Sequence, residues 1–331
     1  MPLHDAHYQH WDGQHTSLWG RRWVIAQNGL SACLRNKVLR SLVLVCWVGA
    51  LTMAAFLFFL GQLLVPDSSM ARWVPQMNSQ LQAFVGMLTS WLHDHPEVSV
   101  GTTQNVLFYY YGVYSMPLSI VALGMALPAL ITRDLASNAI VIYASKAVTR
   151  GDYLLGKFCT AFGVLTLTWL GPVCAAWFVG NLLAPDWTFF WHARMALIHV
   201  LIFGLSSLAI LCLLALGVSA VSSREKSTPF IWLAWWVLGI AIQPIAIKTL
   251  PWLRHVSFEF NLRQIGLAVF HLGRELRTAQ DSIPIFGQML QSVRPATRDA
   301  LNHPLIGGAV ASLALMLVAA WLIVNKRVAP E

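Results

Sequence analysis

The chain has 331 residues, 57% of them hydrophobic and only 11% charged, and its mean hydropathy of +0.60 excludes an ordinary soluble domain. An all-α polytopic membrane protein follows. A net charge of +8 would suit a polyanion, but Lys and Arg gather at the ends of apolar runs rather than along one face, so no nucleic-acid partner is expected.

Residues 1–17 carry His4, His7, His10 and His15 with Asp5 and Asp12. With no apolar residue to fix their geometry, they read as a solvated tail rather than a metal site. The tail lacks the basic start, apolar core and small-residue cleavage site of a signal peptide, so nothing is expected to be removed. From Leu18 to Arg40, Trp19, Trp23, Leu30, Leu34 and Leu39 alternate with Arg21, Arg22, Arg35, Lys37 and Arg40, and no acid interrupts them. That pattern predicts an amphipathic helix on the inner leaflet over 18–40.

Six runs are then long enough to cross a bilayer, which takes about 20 residues: 41–65, 106–131, 158–184, 196–221, 229–250 and 305–324. With the N-terminus inside, thirteen Lys and Arg fall on the cytoplasmic side and nine outside, seven of those between Lys248 and Arg298. Long external segments translocate largely regardless of charge, so the short loops set a topology with both termini cytoplasmic. In the first external segment, Met77, Leu81, Phe84, Val85, Leu88 and Leu92 share one helical face and predict a helix on the outer leaflet. His93 and His95 at its end read as solvated rather than metal-ligating. Tyr109, Tyr110, Tyr111, Trp187, Trp191 and Trp252 sit where an outer aromatic belt is expected.

The segment from Ile131 to Phe158 sets Arg133, Lys146, Arg150 and Lys157 against Asp134 and Asp152. Its middle, Ile140 to Ser145, is apolar enough for a short docked helix, and Gly151-Asp152 reads as a stop and an N-cap for the third span. It has about 26 residues where loops commonly need two to eight, so it reads as a docking surface. Ile140, Ile142 and Tyr143 would fill a partner's groove, with Asp134 and Arg150 at the rim. The external segment Pro251 to Pro304 predicts re-entrant or interfacial helices before the sixth span. In that span, Gly307, Gly308, Ala311 and Ser312 offer a small face for close packing.

The run from Gly151 to Lys157 matches GxxxxGK, but Phe158 stands where Ser or Thr must hold magnesium, and no strand precedes it, so a phosphate loop is rejected. The five cysteines, Cys33, Cys46, Cys159, Cys174 and Cys212, show no CxxC or His-paired spacing and read as small apolar residues. No Asp or Glu lies within the six runs, which removes the usual relay of a secondary carrier. No HExxH, GxSxG or paired-acid motif supplies a catalytic residue. The energy for any transport is expected from a partner.

The sequence resembles the ABC exporter permeases of the second type. The basic amphipathic helix, the six spans and the re-entrant pieces match that architecture. The patterned loop matches in about 25 residues: Asp134 soon after span two, the Ile140 to Ser145 segment, Thr149-Arg150, and Leu154-Leu155-Gly156-Lys157 leading into span three. It departs with Ser137-Asn138 and Ala147, where the family often has Gly-Thr and Pro. The resemblance implies half of an exporter in a bacterial inner membrane, paired with a second permease chain, identical or related. Cytoplasmic ATPase subunits would dock on the coupling loop (Asp134, Ile140, Ile142, Tyr143, Arg150) and on the interface helix (Arg21, Arg22, Arg35, Lys37). No cofactor, metal or catalytic residue is implied for this chain. A secondary carrier and a membrane scaffold without an ATPase partner stay open as alternatives.

Overall fold

A computed structural model describes residues 18–62, 86, 89–91, 94, 96–139, 149–184, 186–248, 250–282, 301 and 303–328. Among these residues there is no strand, and six helices are long and apolar enough to cross a membrane. The chain is an all-α polytopic membrane protein. The tail, most of the segment from 63 to 95, where an outer-leaflet helix is expected, with His93 and His95, and the Ile140 to Ser145 stretch lie outside the described residues.

Helix α1 (Leu18–Leu34) ends before the predicted interface helix does. Asn36 breaks it, and its Oδ1 accepts from Val38 N at 2.9 Å, capping α2 (Lys37–Gln62). Lys37 and Arg40 therefore open the first span. Helix α3 (Pro96–Ala126) starts ten residues earlier than expected, continues through a 3-10 turn at Leu127–Ala129, and passes into the short α4 (Thr132–Ala136). It is the central helix: Phe108, Met116, Ile120 and Leu123 are fully buried. Because α3 begins early, Tyr109 lies in the core, 5% exposed and edge-on to Phe270 at 5.8 Å, and not in an aromatic belt. Trp187, Trp191 and Trp252 are exposed.

The third span begins at α5 (Arg150–Leu165), eight residues before the apolar run, and continues into α6 (Gly171–Leu182) through a π turn at Thr166–Leu170. The π turn leaves carbonyls without their usual partners. Pro172 has no N–H for the Thr168 carbonyl, and Gly171 N bonds Thr166 O instead of Leu167 O. Neighbours supply both: Ser119 Oγ donates to Thr168 O at 3.1 Å and Trp47 Nε1 to Leu167 O at 3.0 Å. The irregular turn thereby fixes α2 and α3 against the third span.

After α7 (Thr188–His192), the helices α8 (Arg194–Val221), α9 (Ser227–Lys248) and α12 (Ile306–Arg327) supply the remaining spans. Of the predicted small face of span six, Gly308 makes a close approach, to the 3-10 turn before the span and not to another span. Nothing would meet a side chain at Gly307, and Gly308 faces the His255 ring. The tight approach to another span is at Gly217, where a Cβ would come within 2.5 Å of Ala320 Cβ. Before span six, a 3-10 turn (Pro251–Val256), α10 (Phe258–Val269) and α11 (Leu272–Ser282) fold back onto the bundle and bury Phe258 and Leu262. Two ends result. The near end gathers α1, α4, the starts of α2 and α5, the α8–α9 turn and the end of α12; the far end gathers α7, α10 and α11.

Candidate functional site

The near end is built around the start of α5. Thr149 caps that helix: its Oγ1 accepts from Asp152 N at 3.2 Å and donates to Asp152 Oδ2 at 2.6 Å. The cap is thus Thr149, one turn ahead of the predicted Gly151-Asp152. With Asp152 so oriented, its Oδ1 takes Arg22 Nε of α1 at 2.5 Å. The pairing continues along both helices in the same direction, Ile25 against Gly156 and Leu30 against Gly163, so α1 runs parallel to α5. A Cβ at Gly156 would stand 2.6 Å from Ile25 Cγ2, so only glycine admits this approach.

The loop end of α3 is fixed by hydroxyls. Ser219 Oγ of α8 accepts from the backbone N–H groups of Ile131 (2.9 Å) and Thr132 (3.1 Å) and donates to Leu127 O. Thr132 Oγ1 donates in turn to Ser219 O. This holds α4 so that Asp134 turns inward, where its Oδ2 accepts from Tyr153 OH at 2.7 Å and pairs with Lys157 Nζ at 2.8 Å. Lys157 also donates to Ala129 O at 3.0 Å. The side chains of Lys157 and Asp134 are 10% and 13% exposed, so this is an ion pair inside the fold. Arg150 reaches across to the end of α12, its Nη2 donating to Val324 O (3.0 Å) and Asn325 O (2.8 Å). Those carbonyls lie in the last turn of α12, at the negative end of the helix dipole; Val324 O also accepts from Val328 N at 3.0 Å. By contrast, the Arg133–Glu225 pair at 3.1 Å is exposed and contributes little.

The sequence-predicted site residues therefore separate. Asp134, Arg150 and Arg22 converge on the first two turns of α5. Asp134 is not at a rim, because Lys157 and Tyr153 hold it inside. Arg21 is half-buried on α1, and Arg35 and Lys37 are exposed at the α1–α2 turn. Ile140, Ile142 and Tyr143 lie outside the described residues. Tyr153, Lys157 and Asp152 complete the cluster; the sequence places Lys157 and Asp152 among the charges of this segment without marking them as site residues, and the available signal was an acid and a base close to two span ends, needing one another for burial. The GxxxxGK stretch is helical from Arg150 onward and Lys157 is held by Asp134, so it forms no phosphate loop.

A second polar group lies at the far end. Glu275 of α11 accepts from Thr102 Oγ1 at 2.6 Å and Asn105 Nδ2 at 3.2 Å, and Asn105 Oδ1 lies 2.9 Å from His199 Nδ1. Glu259 of α10 is buried and accepts from Trp236 Nε1 at 2.5 Å. The apolar runs contain no acid, as read from the sequence, yet the segment before the sixth span delivers two carboxylates, Glu259 and Glu275, to the spans. Among the described residues, no group of three or more His, Cys, Asp and Glu is placed to hold a metal. All five cysteines are unpaired; Cys33, Cys46 and Cys212 are buried, whereas Cys159 is exposed. No protein-family model matches the chain, and comparison with curated proteins gives no match.

Proposed function

We propose that the chain is the membrane subunit of an ATP-binding-cassette exporter. It supplies half of a translocation path, pairs with a second permease chain, and takes its energy from a cytoplasmic ATPase bound at the near end. The observation that supports this reading is the set of ties around α5. The segment resembling the coupling loop is joined to α1 by Arg22–Asp152, to α4 by Asp134–Lys157, and to α12 by Arg150. A push on this segment reaches several spans through charge-assisted contacts, of which Asp134–Lys157 lies inside the fold.

The test is purification of the chain from native membranes with its bound subunits, followed by transport-coupled hydrolysis in liposomes. The chain alone is expected to hydrolyse no ATP, and the assembled complex to do so. Tyr143→Ala is expected to weaken assembly by about 2 kcal/mol, as truncation of an aromatic anchor does, while the permease still inserts. Wild-type assembly and turnover in that variant would reduce the loop to a linker.

A second reading, a carrier driven by an ion gradient, is favoured by one observation: Glu275 is lodged among Thr102, Asn105 and His199 at the ends of two spans. Uptake or efflux in liposomes under a proton gradient without nucleotide, lost in Glu275→Gln, would select it over the first.

A further inference from the structure

Between α5, α8 and α12 runs an open groove of about 680 Å³, lined by Leu154, Phe158, Leu213, Leu216, Leu317 and Trp321. Its geometry follows from contacts already described. Gly217 lets α8 and α12 touch at Ala320, whereas α5 is tied to α12 at the near end by a long guanidinium arm, Arg150 to the Val324 and Asn325 carbonyls. The three helices therefore diverge, and a wedge remains whose near end is marked by Gly151 and Val324.

The walls are aliphatic and aromatic, but the mouth is cationic. Arg150 adjoins Gly151, and Arg327 falls seven residues beyond Ala320, about two turns along the same face. Lys326 and Arg327 are exposed. Asp152, the carboxylate next to this mouth, is already paired with Arg22. A narrow apolar slot opening onto a cluster of cations at a span end, two of them exposed, matches an acyl chain joined to an anionic headgroup. We infer that this groove holds an acyl chain of an anionic phospholipid, with its phosphate at Arg150, Lys326 and Arg327.

The experiment measures lipid retained by the purified full-length chain after exchange into mixed micelles of phosphatidylglycerol and phosphatidylcholine with identical chains. Phosphatidylglycerol is expected in at least fivefold excess. The pair Lys326→Gln and Arg327→Gln should lower that excess at least threefold, and Leu213→Trp, which fills the slot, should release both lipids. The glutamine pair alters exposed side chains only, so it carries the test alone if Leu213→Trp does not fold. Equal retention of the two lipids, or an excess unchanged by the glutamine pair, overturns the inference. So does spontaneous disulfide formation between copies carrying Trp321→Cys, which would assign the groove to a second copy of the chain.

Discussion

Lys157 and Asp134 are each other's main compensation inside the bundle. Removing one leaves a buried charge alone, which typically destabilises by about 3–5 kcal/mol, whereas replacing both with uncharged residues of similar volume is far milder. Lys157→Met is therefore expected to lower thermal stability in detergent sharply, and the double variant with Asp134→Asn to recover most of the loss in a double-mutant cycle. Equal destabilisation by the single and double variants would show that the pair is solvated. A charge change at Asp134 consequently tests the fold before it tests docking. Burial pushes the Cys33 thiol above its ordinary value, with Lys157 and Arg133 opposing more weakly. Since the thiolate is the reactive form, Cys33 is expected to resist maleimide at neutral pH until the protein is unfolded.

At the scale of elements, the π turn makes a sharp expectation. Ser119→Ala leaves the Thr168 carbonyl without the donor that replaces the missing Pro172 N–H. A loss of about 1 kcal/mol is expected, the usual worth of a hydrogen bond between membrane helices, measured as a shift in thermal or denaturant midpoint. A midpoint unchanged from wild type would mean that another group takes over that carbonyl. The apolar runs revealed that these spans exist, but not where their helices start. Hydropathy falls where charges appear, and the chain places Arg150, Asp152 and Lys157 on helical turns because their distant partners, 23 to 175 residues away in sequence, neutralise or hold them. Pairings at that separation leave no local trace. The Glu275 contacts were hidden for a related reason: a helix outside the apolar runs folds back onto them, and the expectation of re-entrant or interfacial helices there does not say that Glu275 meets Thr102 and Asn105, 173 and 170 residues away.

For the whole molecule, the proposed orientation is open to a direct check. Asp186, at the far end, and Glu225, in the α8–α9 turn at the near end, are both exposed. In a cysteine-free background, an impermeant maleimide should label Asp186→Cys in intact cells and Glu225→Cys only after permeabilisation. The reverse pattern would invert the chain and remove the near end from the cytoplasm.

The parallel seat of α1 on α5 also has a consequence in time. Arg22 and Asp152 are 130 residues apart, and synthesis at about 5–20 residues per second separates their emergence by roughly 7–26 s. During that interval α1 exists without the helix it will pack against. Trp19 and Trp23, 72% and 66% exposed in the finished fold, give the waiting helix a place at the lipid headgroups. Stalled chains ending after α3 should thus hold α1 loosely, open to protease at Arg21 and Arg22, whereas chains extended through α6 should protect it.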